Sequence, residues 1–177
     1  MGHVMEWGAL DHILFLMCLC VPYVLKDWAK VIWLVTFFTL GHTISLLLGA
    51  YGIANFKREY VEFIIPITIL IAALVNIISG GKVLNQNIKL VYGISVFFGI
   101  IHGLAYYGDL KMVLIGGNKL LRILEVSTGV ETAQLIIAFI VLMLGSMFQN
   151  VLRVSKKDWV LVVSSIALGL VIPMIFE

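Results

Sequence analysis

The sequence predicts an all-α, polytopic membrane protein: a bundle of six transmembrane helices joined by short loops. Of its 177 residues, 62% are hydrophobic and only 12% are charged, and the mean hydropathy is +1.09. Soluble domains are about 45–50% apolar and about 25% charged. This composition therefore excludes a soluble globular enzyme and a disordered chain. The net charge of +2 is too small and too dispersed for a nucleic-acid-binding surface.

Six apolar runs are long enough to cross a membrane, which takes about 17–25 helical residues. Helices are expected because lipid offers backbone polar groups no hydrogen-bonding partner, and the runs are too long for the strands of a membrane barrel. The runs use nearly the whole chain, so we expect a single domain over residues 1–177. They lie at residues 10–24, 31–51, 61–78, 90–107, 126–147 and 159–175.

The first three runs differ in their polar residues. The first is short and begins with Asp11 and His12, which is typical of a retained helix rather than of a cleaved secretory signal. Its two cysteines, Cys18 and Cys20, are expected to be buried thiols. The second run carries a polar residue at every third position, namely Thr36, Thr39, His42 and Ser45. The third run begins beside Glu62.

The last three runs complete the bundle. The fourth contains His102 and a Gly99–Gly103 pair, which indicates close packing beside the histidine. Before the fifth run, residues 118–125 are predicted to form a separate short interfacial helix, because Gly116 and Gly117 break the chain. The sixth run has few polar residues and is interpreted as a packing helix.

Basic residues in the loops predict the orientation of the chain. Seven lie on the side opposite the N-terminus and five lie on the N-terminal side. Because cytoplasmic loops carry the excess of Lys and Arg, both termini are expected outside the cytoplasm.

Ionisable side chains within the apolar runs are few, and a charge at mid-membrane costs about 2.5–3.5 kcal/mol even on the mildest insertion scale. By the helical rise, His102 and Glu131 lie about 8 Å from the N-terminal side of the membrane, and His42 lies about 13 Å from it. All of these groups come from five runs and fall in one half of the membrane, where a bundle can gather them in one cavity. They are Asp11, His12, His42, Glu62, His102 and Glu131.

We therefore predict a metal site of imidazole and carboxylate ligands. This chemistry, without thiolate, suits a divalent transition metal such as nickel, zinc or cobalt. His3, just before the first run, is a further candidate ligand. Adjacent helical residues point about 100° apart, so one of Asp11 and His12 is expected to bind the metal while the other orients a neighbour. The pattern indicates no catalytic residue and no organic cofactor.

Five segments, in order and at appropriate spacing, resemble the HupE/UreJ family of small bacterial membrane proteins named after hydrogenase and urease accessory genes. They follow His3 and read DHILF at 11–15, FTLGHT at 38–43, VE at 61–62, FGIIHG at 98–103 and GVE at 129–131. The resemblance covers nearly the full chain and is greatest to a branch common in Bacteroidota. It implies a multi-pass inner-membrane protein, with nickel uptake proposed for better-known members. It also implies a metal role for His3, Asp11, His12, His42, His102 and Glu131.

Three functions remain open from the sequence. The first is a permease or metal-binding transport protein, which is favoured over an enzyme. The second is an intramembrane zinc-dependent hydrolase that acts on lipid or peptide, with zinc activating water beside a carboxylate base. The third is an accessory subunit whose polar residues only lock helices together. The expected partners are the metal ion and the lipid bilayer, without nucleic acid, and a homo-oligomer is left open.

Overall fold

The described residues form six α-helices and one 3-10 turn. The structure is a computed structural model, and it describes residues 3–54, 58–82, 87–110 and 118–176. The elements are α1 (His3–Cys20), the turn Leu25–Asp27, α2 (Trp28–Ala50), α3 (Arg58–Ser79), α4 (Ile88–Leu110), α5 (Lys119–Asn150) and α6 (Lys156–Ile175). The described residues contain no strand, so the predicted all-α class is confirmed.

Five helices, α2 to α6, are long and apolar enough to cross a membrane, whereas the apolar part of α1 is the shorter stretch Leu10–Cys20. Large apolar side chains cover the outside of the bundle as well as its core. Phe97, Phe139 and Leu170 are 59%, 57% and 52% exposed, respectively. Contiguous apolar surface of this kind is rare on soluble monomers but fits contact with lipid. The chain is a multi-pass membrane protein.

Helix α5 is longer than the sequence predicted. It runs without a break from Lys119, and the Asn118 side chain caps its start by accepting hydrogen bonds from the next backbone amides. The predicted separate interfacial helix over residues 118–125 is therefore wrong, because nothing between the cap and the apolar run interrupts helical geometry. The Lys119 amine donates to the carbonyl oxygen of Ala50 at 3.0 Å, so α5 starts level with the end of α2.

Helices α2 and α4 approach each other through glycines. A β-carbon at Gly41 of α2 or at Gly99 of α4 would overlap a backbone carbonyl oxygen of the opposite helix. Small residues at such contacts let two membrane helices pack backbone against backbone. The contact brings together the two helices that carry His42 and His102, and the expected close packing beside His102 is present.

The end of α1 is completed by a side chain from α3. A helical carbonyl normally accepts from the amide four residues later, but Pro22 stands four residues after Cys18 and has no N–H. The Nδ2 of Asn76 donates to the Cys18 carbonyl oxygen at 2.6 Å instead, and Asn76 is fully buried. Cys18 and Cys20 are free thiols buried in the core, as predicted.

Candidate metal centre

Three histidines from three helices meet inside the bundle. The ring of His12 on α1 lies 4.9 Å from that of His102 on α4 and 6.0 Å from that of His42 on α2, between centroids. His42 and His102 are both 0% exposed. The glycine contact between α2 and α4 places two of these rings, and α1 adds the third.

His102 is oriented by its own helix. Its Nδ1 lies 2.9 Å from the carbonyl oxygen of Phe98. A carbonyl oxygen can only accept, so Nδ1 carries the proton and donates, which leaves the lone pair on Nε2. That Nε2 is buried and has no hydrogen-bond partner among the described residues. Histidines that bind metals are commonly held in this way, with one nitrogen bonded to a carbonyl and the other directed at the metal.

Two neighbouring side chains also present buried polar atoms without partners. Both ring nitrogens of His42 and the Oδ1 atom of Asp11 are buried and have no hydrogen-bond partner in the described part of the chain. Leaving such a group unpaired costs about 1–3 kcal/mol, so each one calls for a physical explanation. A bound cation would satisfy several of them at once.

Aromatic rings also pack against the histidines. Phe15 and Phe38 lie 5.1 and 5.3 Å from the ring of His102, and both are almost fully buried. Tyr106 lies 5.6 Å from the ring of His42. These rings keep water away from part of the pocket, and a low local dielectric strengthens electrostatic interactions there. Helical spacing aligns Tyr106 with His102 in the sequence, but sequence reasoning gave the two phenylalanines no role, although Phe38 stands one helical turn from His42 and Phe15 one turn from His12.

The other predicted ligands have different positions. Glu62 on α3 lies close enough to Asp11 for the two carboxylates to interact electrostatically. His3 is the first residue of α1, and its side chain lies outside the described residues. Asp11 therefore adjoins the histidine cluster as the neighbour of His12, and Glu62 lies near Asp11. The predicted role of His3 stays a prediction.

Glu131 is bonded elsewhere. Its Oε1 accepts a hydrogen bond of 2.7 Å from the hydroxyl of Thr36 on α2. Thr36 precedes His42 by six residues, which is about 9 Å along the helix axis. The sequence-based depths placed Glu131 nearer the N-terminal side than His42, whereas the bond to Thr36 places it further from that side. The carboxylate of Glu131 consequently lies below the level of the histidines.

The candidate ligands are not gathered into a finished coordination sphere. Among the described residues, no three His, Cys, Asp or Glu side chains stand close enough together to hold a metal ion as they are. Zinc–nitrogen bonds are about 2.0–2.1 Å long, so the rings of His12, His42 and His102 need to rotate to share one ion. The ring spacing fits such a rearrangement, as do the nitrogens of His42 and His102 that have no partner among the described residues.

The fold and this cluster define a class: a multi-pass helical membrane protein with a buried imidazole pocket flanked by carboxylates. The family model described as "HupE / UreJ protein" matches residues 1–176, so the chain belongs to the HupE/UreJ family. This confirms the resemblance seen in the sequence, and the family is linked to metal accessory or transport function. No curated protein and no solved structure matches the chain.

Proposed function

We propose that this protein is a bacterial inner-membrane permease or metal-binding transport protein for a divalent transition metal ion of the nickel, zinc or cobalt type. Both termini lie outside the cytoplasm in this proposal, as the distribution of basic residues predicts. The observation that carries it is the buried and unpartnered Nε2 of His102, held towards its neighbours by the bond from Nδ1 to the Phe98 carbonyl oxygen.

The ion is bound by His102, His42 and His12, with Asp11 as the charged ligand. Neutral imidazole nitrogens suit borderline divalent metals, and the carboxylate offsets part of the charge of the ion inside the membrane. The two cysteines take no part, since both are buried in the apolar core below the first turns of α1. Protons compete with the metal for the same nitrogens, so binding weakens as the pH falls.

Binding is tested on protein purified without a polyhistidine tag. Elemental analysis is expected to find a transition metal in the wild type, and added nickel, zinc or cobalt is expected to raise the unfolding temperature. His102→Ala should lose both effects. Ser164→Ala is the matched control, because Ser164 is also fully buried and its hydroxyl has no partner among the described residues, but it lies on α6.

Transport is tested separately in vesicles that contain the purified protein. The wild type should take up the metal and His102→Ala should not. If the protein instead hydrolyses lipid or peptide in a chelator-sensitive reaction and takes up no metal, the permease function is rejected in favour of the hydrolase. A wild-type protein that binds no metal and gains no thermal stability from one would overturn the proposed function.

A further inference from the structure

A second polar cluster lies between α2 and α5, apart from the histidines. The hydroxyl of Thr36 donates to Oε1 of Glu131 at 2.7 Å, and the hydroxyl of Thr39 donates to Oε1 of Gln134 at 3.1 Å. Thr36 and Thr39 stand one helical turn apart, as do Glu131 and Gln134, so the two bonds are neighbours on the facing surfaces of the helices. Four oxygen-bearing side chains therefore lie within about one helical turn of each other where α2 packs on α5.

The carboxylate of Glu131 has no basic partner in the described part of the chain. The ion pair that the described residues do form, Lys30 with Asp27, is at the start of α2. A hydroxyl group supplies a hydrogen bond to Glu131 but no positive charge. An unpaired carboxylate in hydrocarbon is costly, so Glu131 is neutralised there either by a proton or by a bound cation.

We propose that a second cation site binds one monovalent ion, Na⁺. Its ligands are the side-chain oxygens of Glu131, Thr36, Thr39 and Gln134. The donors are all oxygen atoms, which hard cations prefer over the imidazole nitrogens that suit transition metals. One carboxylate balances one positive charge, whereas a divalent ion would leave an excess charge buried in the membrane. On binding, the two hydroxyl protons turn away and the oxygen lone pairs face the ion.

This site is separate from the histidine pocket in depth and in direction. Thr36 lies about 9 Å below His42 along α2. At 100° per residue, Thr36 and Thr39 together point roughly 90° away from His42 around the helix. The existence of the site does not depend on the proposed function, but its use as a site for a coupling ion rests on that function.

The test measures binding of radioactive Na⁺ to the detergent-purified full chain, with choline chloride keeping the ionic strength constant. The wild type should bind about one Na⁺ per chain, and Glu131→Gln should weaken binding by more than about tenfold, because it removes the charged ligand but keeps its size. Thr36→Val should also weaken binding. Thr132→Val is the matched control, since Thr132 is exposed on α5 and its hydroxyl bonds to its own helix.

A parallel measurement on the same variants separates this site from the histidine pocket. His102→Ala should keep Na⁺ binding while it loses transition-metal binding, and Glu131→Gln should do the reverse. Na⁺ binding without any transition-metal binding would overturn the proposed function alone. Absence of Na⁺ binding in the wild type, or loss of transition-metal binding in Glu131→Gln, would overturn the second site.

Discussion

At the residue scale, a single amide group replaces a backbone hydrogen bond that proline removes. Pro22 cannot donate to the Cys18 carbonyl oxygen, and Asn76 supplies the missing donor from a different helix. Without water or lipid donors at this buried position, no other group can do so at low cost. The bond also fixes α3 against the end of α1, the helix that brings His12 to the pocket.

Asn76→Leu is therefore expected to lower the free energy of unfolding by about 1–3 kcal/mol, because it leaves the buried carbonyl oxygen unpaired. Thermal unfolding in detergent measures the change. Ser79→Ala is the control one turn further along α3, where the hydroxyl is buried without a partner among the described residues. Equal unfolding temperatures for the two variants would contradict this role of Asn76.

At the element scale, the contact between α2 and α4 depends on the absence of side chains. Gly99→Ala should push the two helices apart and destabilise the protein by about 1–3 kcal/mol, the usual cost of overpacking. Because the same contact positions His42 and His102, metal affinity should fall in parallel. Gly93→Ala on the same helix is the control, since a β-carbon there meets nothing within 4 Å. The comparison requires thermal unfolding and metal titration of both variants.

The limits of sequence-based prediction are also clearest at the element scale. The apolar runs predict the helices, because a segment in lipid must pair its own backbone N–H and C=O groups. The histidines stand out because polar side chains are costly in lipid. The helix that each face packs against is decided by contacts between residues far apart in the sequence. The spacing of polar residues along one helix does not reveal those contacts. Thus the sequence predicts that His42 and His102 belong together, but it does not predict that Glu131 bonds to Thr36. The stretch 118–125, expected to be a separate short helix, is instead the capped start of the continuous helix α5.

At the scale of the whole molecule, the topology can be tested by labelling introduced cysteines, because the two native cysteines are buried. Cys18 and Cys20 are both 0% exposed, so neither should react with a membrane-impermeant maleimide. A cysteine at Ile53, which is 74% exposed after α2, should be labelled from outside intact cells. A cysteine at Val151, which is 71% exposed after α5, should be labelled only after the cells are opened. The reverse pattern would invert the proposed orientation.

The bond between Lys119 and the Ala50 carbonyl oxygen has an electrical consequence. With those two helix ends level, Glu131 lies about 18 Å below them by the helical rise. His42 lies about 12 Å below the same level, so the step from His42 to this carboxylate is about 6 Å, roughly a fifth of a hydrocarbon core of about 30 Å. Moving one positive charge over that step would change its energy by about 0.5 kcal/mol per 100 mV of transmembrane voltage. A cation that visits both levels would therefore sense the membrane potential.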